Sequence, residues 1–238
     1  MVPEKLISDF VNRLRAAAGT NLRSVILYGS AAAGDYVPDY SDLNLLCVLG
    51  DASFASIQAL AATVAWWTKQ KHRVPLLMSE EELRRSADVF SIEFLDMKQS
   101  YRVLWGEDAL KELAIPMRFH RAQVEYELRE KTILLRQRLL MVAGDAAAMW
   151  ELLLRSVPAF ATLARHALIA LGETGAASKR EAVEKLAAKV GFDTSAFSQL
   201  LDIRERKADR KTFDVDELFA RYLKAVEQIT AAVDRMLD

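Results

Sequence analysis

The stretch Val25-Ile-Leu-Tyr-Gly-Ser-Ala-Ala-Ala-Gly-Asp-Tyr-Val-Pro-Asp-Tyr-Ser-Asp-Leu-Asn-Leu-Leu46 decides how this chain is read. Val25 to Tyr28 is a short apolar run stopped by Gly29, which predicts a buried strand. Gly29 allows backbone or ligand to approach closely. Gly34, Pro38 and Asp39 mark an exposed loop, in which Asp35 and Asp39 are read as turn formers. Leu43 to Leu49 is a second apolar run and predicts a second strand. Residues two apart on a strand share a face, so Asp42 and Asn44 are expected to point together toward Gly29 and Ser30.

That arrangement suits nucleotide chemistry. Backbone amides after Gly29, with the Ser30 hydroxyl, can hold phosphate oxygens. Two carboxylates at this spacing can hold a divalent cation between them. A third acid can then act as base or further ligand in an in-line phosphoryl displacement.

The stretch resembles the nucleotidyltransferase superfamily that shares the DNA polymerase β-like core. The likeness is to the bacterial branch that includes aminoglycoside adenylyltransferases and small stand-alone nucleotidyltransferases, many with a C-terminal helical bundle. It rests on a strand ending in Gly29-Ser30, a loop, and Ser41-Asp42-Leu43-Asn44 entering the next strand, about 22 residues in all. The resemblance implies an α+β fold with a small mixed sheet, and transfer of a nucleoside monophosphate from a nucleoside triphosphate to an unidentified acceptor. It implies Mg²⁺ and the triphosphate as cofactors, with Gly29 and Ser30 at the phosphates and Asp42 as catalytic metal ligand. Asn44 stands where the family carries a second acid, and offers an oxygen without a charge. Glu93, in Ser91-Ile-Glu-Phe-Leu-Asp96, is the candidate third acid, with Asp96 beside it, because Val74-Pro-Leu-Leu-Met78 holds none. The departure at Asn44 opens an alternative: a catalytically inactive protein on the same fold that binds a nucleotide or a protein partner.

Outward from this stretch, the first half mixes helix and strand signals. Leu6, Ile7, Phe10, Val11 and Leu14 recur at helical spacing, so residues 3–18 form an amphipathic helix with Pro3 at its start and Gly19 at its end. Residues 53–70 read as a helix with Ser53 as its cap, and Trp66 and Trp67 divide between a core and an interface. Val74–Met78 reads as a third strand. Ser79 and Glu82 make a capping-box pattern for a helix over 80–86. Phe90–Leu95 reads as a fourth strand, and Tyr101–Trp105 as an edge strand or turn. Cys47, inside an apolar strand, reads as a small core residue.

The second half has almost no strand signal. Residues 119–142, 146–171, 194–206 and 215–237 read as helices, with another opened by Ser178 and Glu181 and stopped at Gly191, and Asp214 with Glu217 capping the last. This predicts a bundle of about five helices. The composition shifts near Pro116, which places an α/β domain at 1–118 and a helical domain at 119–238. The cluster Arg204, Arg206, Lys207, Arg210 and Lys211 reads either as a solvated helix end or as a source of phosphate contacts, with Arg204 and Lys207 as the candidates. Arg129 and Arg136, seven apart on one helix face, are weaker candidates of the same kind. His72, His120 and His166 show no ligand spacing.

Composition narrows the classes further. The chain has 238 residues, 32 basic and 33 acidic side chains, and a formal net charge of −1. That length can bury a core without staples, and that balance speaks against a dedicated nucleic-acid binder. A single cysteine excludes a disulfide scaffold. No run of about 18 apolar residues stands out as a membrane span, and the first residues lack the pattern of an export signal. The expectation is a cytoplasmic protein that binds a nucleoside triphosphate and a small-molecule or protein acceptor, and no membrane.

Overall fold

β1 (Leu22–Tyr28) and β2 (Asn44–Leu49) are antiparallel and form the centre of a four-stranded sheet. β3 (Leu76–Ser79) flanks β2 in parallel, and β4 (Tyr101–Gly106) flanks β1 antiparallel, giving the order β3-β2-β1-β4. The structure, a computed structural model, describes residues 2–34, 36, 42–173, 176 and 178–235. It divides into two compact units, Met1–Met117 and Arg118–Asp238.

The central strands read as continuous apolar runs because both faces of the sheet are covered. Side chains alternate between the faces. Val25, Leu27, Leu45, Cys47 and Leu49 join Ile7, Phe10 and Leu14 of α1 (Glu4–Ala18) and Leu60 and Trp67 of α3 (Phe54–Lys69) in one core. Ile26, Leu46 and Val48 join Leu83 of α4 (Glu80–Arg85), Phe94 and Met97 of α5 (Ser91–Gln99), and Leu110 in the other. A short helix, α2 (Ser30–Ala33), follows β1.

Local chemistry sets the ends of these elements. The hydroxyl of Ser79 accepts from the Glu82 amide and the Glu82 carboxylate accepts from the Ser79 amide, a complete capping box opening α4. Ser53 stands at the start of α3, but its hydroxyl donates to Asp51 rather than capping the helix. Phe90–Leu95 is not a strand. Ser91, Ile92, Phe94 and Met97 are buried on one side of α5, and Phe90 is exposed. A short apolar run fits either period, and burial at steps of three, Ser91, Phe94 and Met97, settles it as helix.

The second unit is helical: α6 (His120–Val142), α7 (Ala146–Ala170), α8 (Lys179–Val190), α9 (Ser195–Arg204) and α10 (Val215–Arg235). The Ser178 hydroxyl accepts from the Glu181 amide and the Asp214 carboxylate from the Glu217 amide, so both expected caps form. α7 packs against all four of its companions. It is long and apolar enough by composition to cross a membrane, yet 61% of its most apolar window is buried inside the protein. A core helix, surrounded by others, is apolar all round for that reason. Two imidazoles lie in this core, with the His120 and His166 rings 5.2 Å apart. The overall class is α+β: a mixed four-stranded sheet with helices, followed by a helical region.

Candidate functional site

The topology gathers one end of the sheet. β1 ends at Tyr28, which pairs with Asn44 at the start of β2 and Tyr101 at the start of β4. β3 runs parallel to β2, so it starts at the same end. The residues just after β1 and just before β2 and β3 therefore lie side by side.

Gly29 turns the chain at this end. Its φ of +74° is one that L side chains avoid. A Cβ there would sit 3.2 Å from the side-chain amide of Asn44. The Gly29 amide donates to the Ser100 carbonyl, while its own carbonyl accepts from Ala32 and Ala33. Ser30 and Ala31 open α2, where amides lie outside the helix's own ladder. Asn44 thus faces Gly29, as its strand position predicts. The Asp35 and Asp39 readings lie outside the described residues.

Asp42 precedes β2 rather than lying on it. Its carboxylate oxygen is 2.7 Å from Nε of Arg73, with the two side chains 42% and 72% exposed. Arg73 sits in the segment between α3 and β3, and sequence reasoning missed it. A signal existed: the parallel register pairs Leu46 with Leu76, and running it backward brings the segment around residue 73 beside Asp42. A β2–α3–β3 crossover read from sequence would have made this connection.

The mount behind Arg73 is well defined. The turn after α3 passes through Lys71 at φ +65°. The buried Trp67 donates from Nε1 to the Arg73 carbonyl at 2.8 Å. The His72 ring lies 4.4 Å from the Trp67 ring, and Trp67 itself stacks on Phe10 at 4.3 Å. Trp67 is therefore the core member of the tryptophan pair, while Trp66 is half-buried with the Arg13 guanidinium 4.3 Å over its ring. Burial holds the His72 imidazole below its usual protonation range, and the Asp42 carboxylate opposes that in part.

Tyr28 links this cluster to α5. Burial raises the pKa of its hydroxyl; the Arg73 charge lowers it and the Glu93 carboxylate raises it. Glu93, half-buried on α5, is thus within electrostatic reach of the same tyrosine as Arg73. Asp96 lies one turn further along that helix.

The other candidates belong to the second unit, where each has a partner. Arg204 donates to the Leu154 carbonyl of α7. Lys207 pairs with Glu205 at 2.6 Å. It also lines a shallow groove of about 400 Å³ with Ile203, Arg206, Ala208, Asp209 and Arg210. Arg129 bridges Glu125 and Asp234, and Arg136 reaches Glu227. These two arginines lace α6 to α10.

A Mg²⁺ centre relies on carboxylates together with substrate phosphates. Among the described residues, no group of three or more His, Cys, Asp or Glu side chains is placed to hold a metal. At this end of the sheet the expected ligands are one carboxylate already paired with a guanidinium and one neutral amide. Those described donors do not fit a Mg²⁺ centre.

Comparison with known proteins agrees with the fold. No family model matches the chain. Over 54 residues, 23% of this chain, it is 41% identical to the "Putative protein adenylyltransferase" of Methanocaldococcus jannaschii. The chain spans about half, 52%, of that relative's length. Among solved structures it is similar to spectinomycin adenyltransferase AAD(9) from Enterococcus faecialis, determined with ATP and spectinomycin. The TM-score is 0.60 at 13% identity, covering 97% of this chain and 99% of that one. The chain shares the fold of that adenyltransferase, and over 54 residues its sequence is similar to that of the archaeal relative.

Proposed function

We propose that this protein binds a nucleoside triphosphate at the Gly29–Ser30 turn and transfers its nucleoside monophosphate to an acceptor, with ATP as the donor. The observation that carries the reading is the Tyr28–Asn44 pairing, which sets Asn44 against Gly29 and brings Asp42 to the same end of the sheet. The likeness to an adenylyltransferase over 54 residues supports the same chemistry. In this reading Ser30 and the following amides receive phosphate oxygens, and Asp42 and Glu93 are the acids nearest the reaction. The fold relative was solved with spectinomycin and the sequence relative is named for protein acceptors, so a small molecule of that kind and a protein are the acceptors tried first.

A second reading, a binding protein without transfer, is favoured by the pairing of Asp42 with Arg73 and by the amide at position 44. The test is incubation with α-labelled nucleoside triphosphates and each acceptor class, in wild type and Asp42→Asn. Label transferred by the wild type and lost in the variant supports transfer. Binding without transfer supports the second reading. A wild type that binds no nucleoside triphosphate overturns the transfer reading and the nucleotide-binding form of the second, and leaves only binding of a protein partner.

A further inference from the structure

In a Mg²⁺-dependent nucleotide site the protein contributes carboxylates, and the ion contributes the positive charge that meets the phosphates. The described side chains around Asp42 divide those roles differently. The carboxylate of Asp42 has a guanidinium 2.7 Å from it. The residue facing the glycine turn is an amide. An aspartate at position 44 would set a second negative charge against the turn that a phosphate must approach. Asn44 removes that repulsion, and Arg73 adds a fixed cation. Both features favour a phosphate that arrives without its metal, and both disfavour the metal itself.

Arg73 suits this role in mount and in reach. Its backbone is held by the indole of Trp67, and the adjoining His72 ring packs on the same indole. Its guanidinium remains largely exposed, so a ligand can reach it. A guanidinium carries five N–H donors in a fork that matches phosphate oxygens, more than one carboxylate contact consumes. An exposed ion pair is weak, and a triphosphate, with several charges, can take over the guanidinium from Asp42.

We propose that Arg73 stands in for the metal ion, so that the site takes the triphosphate of a nucleotide as a metal-free polyanion. This rests on the nucleotide site proposed above and names the charge state of its ligand.

Calorimetric titration with ATP, in EDTA and in excess Mg²⁺, tests it. The wild type is expected to bind in EDTA, with Mg²⁺ tightening binding by no more than about twofold. Arg73→Gln is expected to weaken binding in EDTA by at least about tenfold, the loss of one charge-assisted contact. Arg73→Lys, which keeps the charge and loses the fork, falls between. Asn44→Asp is expected to weaken binding in EDTA and to make it respond to Mg²⁺. Arg73 is a surface side chain, and an unchanged unfolding temperature of Arg73→Gln excludes a folding defect as the cause. Wild-type binding that needs Mg²⁺, or binding in EDTA indifferent to Arg73→Gln, overturns the inference and leaves the nucleotide site standing. A wild type that binds none of ATP, GTP, CTP or UTP in either buffer overturns the site itself, and this inference with it.

Discussion

Gly29 bears two constraints that can be separated by mutation. Its φ of +74° penalises any L side chain, and a Cβ would press on the Asn44 amide at 3.2 Å. Gly29→Ala is expected to lose about 1–3 kcal/mol of stability, measured by urea unfolding. In the double variant Gly29→Ala/Asn44→Ala the contact is gone and the backbone strain stays. Full recovery in that variant would show that the contact, not φ, sets the cost. Cys47 gives a second test at this scale. Burial pushes its thiol up to about 12, against an ordinary value near 8.5 in the unfolded chain. Between those values the unfolded state has lost a proton that the folded state keeps. Stability from this group is therefore complete below about pH 8.5 and falls as pH rises toward 12, by about 1.4 kcal/mol per unit. The pH dependence of unfolding between 9 and 11 is expected to be shallower in Cys47→Ala than in wild type, and equal slopes would contradict the buried thiol.

Elements were legible where one local signal sufficed. The apolar runs around Val25 and Leu45 announced strands, and Ser79 with Glu82 announced a helix start. The capping box makes a direct prediction. Ser79→Ala is expected to cost about 1 kcal/mol in thermal or urea unfolding, whereas Glu82→Gln, which keeps an acceptor for the Ser79 amide, costs less. Equal losses in the two variants would mean that the charge of Glu82, not its hydrogen bond, matters. Elements were misread where the deciding information was tertiary. Phe90–Leu95 alternates well enough for a strand, and only its packing under the sheet through Phe94 and Met97 makes it helical. The same distinction applies at the site. Gly29, Ser30, Asp42 and Asn44 are close in sequence and form a recognisable pattern. Arg73 lies 31 positions beyond Asp42 and reaches it only through the parallel pairing of β2 and β3. The spacing of the arginine does not report such a neighbour by itself; only the β2–α3–β3 crossover does.

At the scale of the molecule, charge and burial divide the work. With a net charge of −1 the chain has no global field to gather a polyanion, so affinity for a phosphate must come from local groups such as Arg73. Structural support comes from burial, and the α+β class follows from where the apolar runs sit: in strands sandwiched between helices in the first unit, and around one apolar helix in the second. α7 carries that second core. Leu153 is fully buried, with Val157, Phe160, Ala161 and Ala164 following it along the helix. Truncation at such a site removes transfer energy and leaves a cavity, because tightly packed neighbours collapse only in part. Leu153→Ala is expected to destabilise by about 2–5 kcal/mol. Hydrogen exchange is the measurement that localises it, since faster exchange should appear in amides of α6 to α10, the helices packed around α7. A variant whose exchange in those helices matches the wild type would mean that α7 is not the centre of that core. A Leu153→Met variant, which keeps apolar volume in a more flexible side chain, is expected to lose less than about 1.5 kcal/mol. The gap between the two substitutions then measures packing at this position rather than the helix propensity of the substitute, because alanine is the better helix former and still destabilises more.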